Sequence, residues 1–103
     1  MNDREEDMLV PVRPGEILAD EFMQPLGLSA NKLARKLGVP PNRISEIIKG
    51  RRSISADTAL RLSQAFGTSP EFWLNLQQAV DLWNALHSDK AGELNEIQPA
   101  QVA

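Results

Sequence analysis

Basic side chains are concentrated in one short stretch of this 103-residue chain. Residues 29 to 53 contain seven Lys or Arg residues and a single acid, Glu46. The stretch therefore carries a charge of +6, and the rest of the chain carries −9, although the net charge is only −3. A local basic face attracts phosphate, whereas the total charge alone would argue against a nucleic-acid partner. The basic residues are Lys32, Arg35, Lys36, Arg43, Lys49, Arg51 and Arg52.

Three polar side chains within this stretch have the chemistry needed to read the edges of base pairs. Arg43 can donate two hydrogen bonds to guanine, and the neighbouring Asn42 can pair in a similar bidentate way with adenine. Glu46 follows Arg43 by three residues on the same helix face, and it can accept a hydrogen bond from cytosine N4 although it repels phosphate. Pro41 and Lys49 complete the predicted outer face. A basic face that includes one acid is therefore compatible with sequence-specific binding to DNA.

These side chains need a helix to present them, and the local pattern predicts two short helices joined by a tight turn. Ala34 is small where the two helices must approach each other closely, and Gly38 can adopt the positive φ that the turn requires. The pattern predicts a helix-turn-helix, whose second helix would enter the major groove of DNA. A helical hairpin with a merely polar outer face is the alternative. The residues expected to pack between the helices are Leu33, Ala34, Leu37, Ile44 and Ile47.

The whole chain is predicted to be all-α, because no stretch shows the alternation typical of strands. Residues 8 to 12 are interpreted as an edge strand or an arm. We expect an N-terminal arm at 1–12, a domain of five helices that contains the helix-turn-helix at 13–87 and a flexible C-terminal tail at 88–103. Serine, proline and glycine residues mark the helix boundaries. The predicted helices begin near Pro14, Ser29, Pro40, Ser55 and Ser69, and they end before Pro25 and near Leu37, Gly50, Gly67 and Leu86.

The sequence holds no residue pattern typical of a catalytic centre, a metal site or a membrane segment. There is no cysteine, and the single histidine, His87, is predicted to be a solvated residue at the end of the last helix. No glycine-rich phosphate loop, nucleophile elbow or HExxH pattern is present. Apolar runs are much shorter than the roughly 20 residues of a membrane-spanning helix, and the acidic N-terminus resembles no signal peptide. We expect a cytoplasmic protein without enzyme activity, metal or cofactor.

The last predicted helix, residues 69 to 86, is apolar on nearly every side. Ten of its eighteen residues are apolar, and its only charges are Glu71 and Asp81. A helix that packs on a small core needs a single apolar stripe, so Phe72 and Leu76 can fill the core and leave an exposed apolar patch. We expect this patch to form a two-fold dimer interface, and a helix folded back more completely is the alternative. The predicted interface residues are Trp73, Val80 and Trp83.

Three segments together carry a family resemblance that covers residues 14 to 86. They are PGEIL from Pro14, LSANKLARKLGVPPNRISEIIKGRR from Leu28 and SADTALRLSQAFGTSPEFWLNLQ from Ser55. In these segments the chain resembles the HigA-type antitoxins, a branch of the XRE-type, lambda-repressor-like helix-turn-helix proteins. The resemblance implies a bacterial homodimer that binds a palindromic operator in double-stranded DNA and represses its own operon. It also implies neutralisation of a HigB-type toxin, a ribosome-dependent RNase.

The resemblance also implies which residues meet DNA. Ser29 and Ala30 open the first helix of the motif at the DNA backbone. Because the wider class often has a polar side chain where this sequence has Ala30, only the amide of that residue is available there. Pro41, Asn42, Arg43 and Glu46 fall on base-reading positions. The basic residues expected at the DNA backbone are Lys32, Lys49, Arg51 and Arg52.

Acidic residues dominate the first quarter of the chain, outside the predicted helix-turn-helix. A toxin that acts on RNA is expected to be basic, and an acidic surface would steer its association. We therefore expect toxin contact on the N-terminal arm and the first helix, with a solubilising role for the arm as the alternative. A repressor without a toxin is the alternative to the whole function, and an adaptor that binds no DNA is a third. The acids are Asp3, Glu5, Glu6, Asp7, Glu16, Asp20 and Glu21.

Overall fold

The computed structural model describes residues 9–101, and over this range the prediction of an all-α fold is confirmed. The described residues form six helices and no strand, so residues 9 to 12 are not an edge strand, and residues 1–8 of the predicted arm lie outside the described part. No helix in this range is long and apolar enough to cross a membrane. Helix α1 comprises Pro14–Ile17, Leu18–Met23 and Gln24–Leu26, and it is followed by α2 (Ala30–Leu37), α3 (Pro41–Ile48), α4 (Ala56–Phe66), α5 (Pro70–Leu86) and α6 (Ala91–Leu94).

Helix α1 extends further than the sequence indicated, because its middle part is a π-helix. The sequence predicts an end before Pro25, but the helix passes through this residue. Proline has no N–H for the carbonyl one turn earlier, and its ring crowds that carbonyl. The π-helical segment Leu18–Met23 comes just before Pro25 in the sequence. At the end of this segment the N–H of Gln24 donates to the carbonyl oxygen of Ala19, five residues earlier. We infer that the wider turn accommodates the proline without ending the helix.

Capping serines fix where three of the helices begin. The side chains of Ser29, Ser55 and Ser69 each accept a hydrogen bond from the backbone N–H three residues further on, at 3.1, 3.2 and 3.1 Å. Each cap satisfies an N–H group that would otherwise lack a partner at the helix start. Gly38 closes α2 with φ of 73°, a left-handed conformation that glycine adopts without strain. These local signals set the short connection between α2 and α3.

The two helices of the motif pack through the residues that the sequence indicated. All five predicted packing residues are buried, with exposed fractions between 0% and 7%. Helix α1 also approaches α3 closely, since a β-carbon at Gly15 would overlap the backbone of Ile47. Helix α3 is therefore held by α2 and by α1, and its polar face is left outward.

Helix α5 corrects one prediction. Trp73, which the sequence analysis places on an exposed patch, is fully buried, and its Nε1 donates to Thr68 Oγ1 at 2.7 Å. Phe72, which the pattern places in the core, is 38% exposed and packs edge-on against the Trp73 ring. A helix that is apolar on nearly every side offers no single inward face to read from sequence. The larger indole ring fills the core, and its N–H finds a partner there, so the exposure predicted for Trp73 is wrong.

The outer side of α5 carries a different set of apolar residues. Val80 and Trp83, the other two predicted interface residues, are half-buried. Leu82 and Leu86 are 57% and 59% exposed. Together with Phe72 and Ala79 they recur at helical spacing, and we call these four residues the α5 stripe.

Beyond α5 the sequence predicts no helix, whereas the structure has the short helix α6.

Candidate DNA-binding surface

Helix α3 presents the predicted base-reading residues on one side. Its opposite side is fixed in the core by Ile44 and Ile47, so its rotation about its own axis is determined by packing. Pro40 caps the helix with an extended backbone conformation, and the first helical position is a proline, which has no N–H to satisfy. The structure brings the four residues together on the outer side, where Pro41 and Asn42 are exposed and Arg43 and Glu46 are half-buried.

The Arg43 side chain is engaged within the protein. Its Nη1 donates to Asp57 Oδ2 at 2.9 Å, and the same oxygen accepts from Nε of Arg61 at 3.0 Å. Arg61 lies one turn after Asp57 on α4, and its Nη1 donates to the carbonyl oxygen of Leu37 at 2.8 Å. Arg43, one of the base-reading candidates, is therefore held in a network that joins α2, α3 and α4.

The two guanidinium groups lower the pKa of Asp57. The largest cause is the hydrogen bond from Arg61, and the hydrogen bond from Arg43 and the charges of both groups act in the same direction. Desolvation acts in the opposite direction and does not outweigh them. Asp57 also lies in the first turn of α4, where a negative charge interacts favourably with the helix dipole. The carboxylate is thus ionised at neutral pH.

Glu46 and Arg52 form a second ion pair on the outer side of α3. Nε and Nη2 of Arg52 lie 3.0 and 2.9 Å from Oε1 of Glu46. The side chains of Arg52 and Glu46 are 45% and 39% exposed, so the pair faces solvent. The sequence predicts separate roles for the two residues, with Arg52 at phosphate and Glu46 at a base, whereas in the structure one edge of Arg52 is engaged with Glu46.

Most of the residues expected at the DNA backbone are exposed. Ser29 is exposed although its oxygen caps α2, and the neighbouring Ala30 is half-buried. Lys32, Lys49 and Arg51 are exposed, and they have no ion-pair partner within residues 9–101. Their charges therefore remain available to phosphate.

Arg13 joins this basic surface although the sequence analysis did not select it. A β-carbon at Gly50 would lie 2.9 Å from Nη1 of Arg13, so the guanidinium rests on the bare backbone that follows α3. Arg13 is exposed and stands close to the loop that carries Arg51. No sequence signal could have found this contact, because 37 residues separate Arg13 from Gly50 and no periodic pattern links them.

His87 takes no part in this surface. Its ring stacks on Trp83 with the centroids 4.0 Å apart, and Nδ1 lies 2.8 Å from the carbonyl oxygen of Trp83. The residue is exposed at the end of α5, in agreement with the predicted position. Within residues 9–101 no group of three or more His, Asp or Glu residues is arranged to hold a metal ion.

The fold and this surface define a class, the helix-turn-helix DNA-binding proteins. The helix-turn-helix family model matches residues 21–73, which include α2, α3 and α4. Antitoxin HigA-1 of Vibrio cholerae is 46% identical over 74 residues, which cover 72% of this chain and 70% of that protein. The chain belongs to the HigA family of antitoxins within this class. Several other relatives are described only as HTH-type transcriptional regulators.

Two solved structures agree with this assignment. An addiction module antidote protein of the HigA family from Coxiella burnetii has 50% sequence identity and a TM-score of 0.81, covering 89% of this chain and 100% of that chain. Antitoxin HigA of Pseudomonas aeruginosa, solved with the higBA promoter, has 41% identity and a TM-score of 0.81, covering 88% and 99%. The second structure is of a HigA protein together with promoter DNA.

Proposed function

We propose that this chain is an antitoxin that binds DNA sequence-specifically in the bacterial cytoplasm. In this proposal a homodimer binds a palindromic operator, represses its own operon and neutralises a HigB-type toxin, a ribosome-dependent RNase. One observation carries the DNA-binding part: α3 is fixed by its buried side and directs Asn42, Arg43 and Glu46 outward within a basic surface. Membership of the HigA family supports the toxin-binding part.

The DNA-binding part is tested with a labelled duplex from the region upstream of the gene that encodes this chain. We expect it to bind more tightly than a shuffled duplex of the same composition, at several salt concentrations, because phosphate contacts alone do not distinguish sequences. A dimer should read two half-sites about 34 Å apart. Equal affinity for both duplexes at every salt concentration would contradict the proposal.

The α5 stripe supports the proposed homodimer. Leu82 and Leu86 are exposed on the outer side of α5, and Leu94 and Ile97 add exposed apolar surface nearby in sequence. Exposed apolar side chains that recur at helical spacing on one side of a helix favour an interface. The interface contribution predicted for Val80 and Trp83 stays a prediction, and Trp73 is removed from the interface because it is buried in the core. Sedimentation at micromolar concentration should give the mass of a dimer, and a monomer would exclude this part.

The acids of α1 support the proposed toxin contact. Glu16, Asp20 and Glu21 are exposed and have no ion-pair partner within the described residues. The toxin is expected to be basic because it works on RNA, so opposite charges favour its approach to this helix. Co-purification of the chain with the product of the adjacent gene tests the toxin-binding part. The same experiment on a chain without residues 1–12 distinguishes a contribution of the arm to toxin binding from a contribution of α1.

The alternative function is a transcriptional repressor that has no toxin partner. The description of several relatives as transcriptional regulators favours it. The same co-purification decides between the two functions, since a repressor of this kind should bind the upstream duplex without capturing the neighbouring gene product. In that case the DNA-binding part of the proposal is kept and the toxin-binding part is abandoned.

A further inference from the structure

A single carboxylate oxygen connects two guanidinium groups beside the DNA-binding surface. Asp57 Oδ2 accepts from Nη1 of Arg43 at 2.9 Å and from Nε of Arg61 at 3.0 Å. Charge-assisted hydrogen bonds of this length are directional as well as strong. Asp57 therefore constrains both where the Arg43 guanidinium lies and how it is oriented.

The carboxylate is itself held in place. Arg61 binds Asp57 through Nε and binds the carbonyl oxygen of Leu37 through Nη1 at 2.8 Å. Leu37 ends α2 and is buried, so this carbonyl belongs to a fixed part of the core. The contacts thus run from the end of α2 through two side chains of α4 to the recognition helix α3.

The arrangement leaves Arg43 able to meet a base. Only Nη1 donates to Asp57, and within residues 9–101 the Nε and Nη2 groups of Arg43 make no hydrogen bond. These two groups form one edge of the guanidinium, which can donate two parallel hydrogen bonds to a guanine. The Arg43 side chain is 27% exposed, so it is partly immobilised by its surroundings but still reaches the surface.

We propose that Asp57 is a positioning residue for base reading, holding Arg43 with its Nε–Nη2 edge directed at the DNA. This inference rests on the proposed DNA-binding function. It assigns Asp57 no direct contact with DNA, and it assigns Arg61 the task of fixing Asp57. An arginine that is already oriented loses less conformational freedom when it binds a base. The resulting gain in affinity applies only to the base pair that Arg43 reads.

The test compares a duplex selected by the wild-type chain from a randomised library with a shuffled duplex. The specificity ratio is the affinity for the first divided by the affinity for the second. We expect Asp57→Asn to lower this ratio about tenfold, within the range that removal of a bidentate base contact produces. The slope of affinity against salt concentration should change little, because every phosphate contact is kept.

A double-variant cycle distinguishes positioning from a general effect. If Asp57 acts through Arg43, adding Asp57→Asn to Arg43→Ala should not lower the specificity ratio further. Asp57→Glu, which keeps the charge, should restore part of the ratio. Thermal unfolding of each variant shows whether the fold is kept, and the ratio is compared only between folded variants.

Glu71→Gln is the matched control. Glu71 also lies in the first turn of a helix that begins with a capping serine, and it is exposed with no ion-pair partner within the described residues. The control removes the same charge from the same kind of position and should leave the specificity ratio unchanged.

Two results would overturn the inference while leaving the proposed function intact. In the first, Asp57→Asn keeps the wild-type specificity ratio. In the second, it strengthens binding to both duplexes alike, which would mean that Asp57 only repels phosphate. If the wild-type chain itself shows no preference for any selected duplex, the proposed function fails instead.

Discussion

The basic residues of the surface differ in whether they are already engaged within the protein. Arg51 is exposed without an ion-pair partner in the described part of the chain, so we expect it to bind phosphate. Arg51→Ala should weaken binding to all duplexes alike and lower the salt slope by about one in each protomer, since each phosphate-binding cation contributes about that much. Arg43→Ala should instead remove most of the preference for the selected duplex. Affinities measured across a salt titration separate the two effects.

Arg52→Ala provides the contrast to Arg51→Ala, because Arg52 is paired with Glu46. Its removal leaves the Glu46 carboxylate without its cation on the outer side of α3. We expect a change in the specificity ratio as well as weaker binding, since Glu46 is a base-reading candidate. If Arg52→Ala behaves like Arg51→Ala, with an unchanged ratio, then the ion pair does not orient Glu46 for DNA.

The ion pairs of Asp57 predict a specific dependence of stability on pH. Its pKa is lower in the folded chain than its ordinary value, so its contribution is present above the unfolded-state pKa of about 3.9 and is lost as the pH falls through the folded-state pKa. Wild type should therefore be more stable than Asp57→Asn at pH 7, and the difference should shrink below about pH 4. Denaturant unfolding at pH 7 and below about pH 4 measures the difference in stability between wild type and Asp57→Asn. A difference that does not change with pH would contradict the prediction.

At the scale of the elements, the contact between α1 and α3 fixes α3 on the side opposite its predicted base-reading residues. A β-carbon at Gly15 would overlap the carbonyl group of Ile47, which is backbone and cannot move aside on its own. We expect Gly15→Ala to lower the free energy of unfolding by about 1–3 kcal/mol, the usual cost of overpacking. Denaturant unfolding measures this change.

Gly92→Ala is the control for this substitution. Nothing lies within 4 Å of the position where its β-carbon would be, and its φ is not in the left-handed region. It should therefore leave the stability unchanged or raise it slightly, because Gly92 lies in α6 and alanine favours a helix more than glycine does. Equal stability of the Gly15 and Gly92 variants would mean that α1 shifts away from α3 without cost.

The elements also show what the sequence could and could not predict. The packing of α2 on α3 was predictable because Leu33, Ala34 and Ile44 follow helical spacing and Gly38 marks the turn. The inward face of α5 was not, because a helix with ten apolar residues in eighteen has several candidate faces, and the burial of Trp73 in the core, beside Phe22 of α1, selects one.

The candidate DNA-binding surface was also only partly predictable from the sequence. Helical spacing around Ile44 was enough to place Asn42, Arg43 and Glu46 on the outer side of α3. Charged side chains that meet across helices leave no periodic pattern in the sequence. The ion pair between Arg43 and Asp57, which are 14 residues apart, could therefore be found only in the folded chain.

At the scale of the whole molecule, we expect binding of two half-sites to depend on the α5 stripe. In the proposed homodimer, the stripe sets the distance between two copies of α3, and each copy reads one half-site. Leu82→Asp places a charge in the stripe and should give a monomer by sedimentation, because burying an unpaired carboxylate is costly. Leu60→Asp is the matched control, since Leu60 is 56% exposed on α4 and Leu82 is 57% exposed.

The same variants test whether the dimer is what makes DNA binding specific for the full operator. A monomeric Leu82→Asp chain should bind a duplex with one half-site about as well as wild type does, because its α3 is unchanged. It should lack the additional affinity for a duplex with two half-sites. That additional affinity arises when the two subunits of one dimer bind both half-sites. The Leu60→Asp chain should keep that additional affinity. A Leu82→Asp chain that still distinguishes two half-sites from one would place the dimer interface elsewhere than on α5.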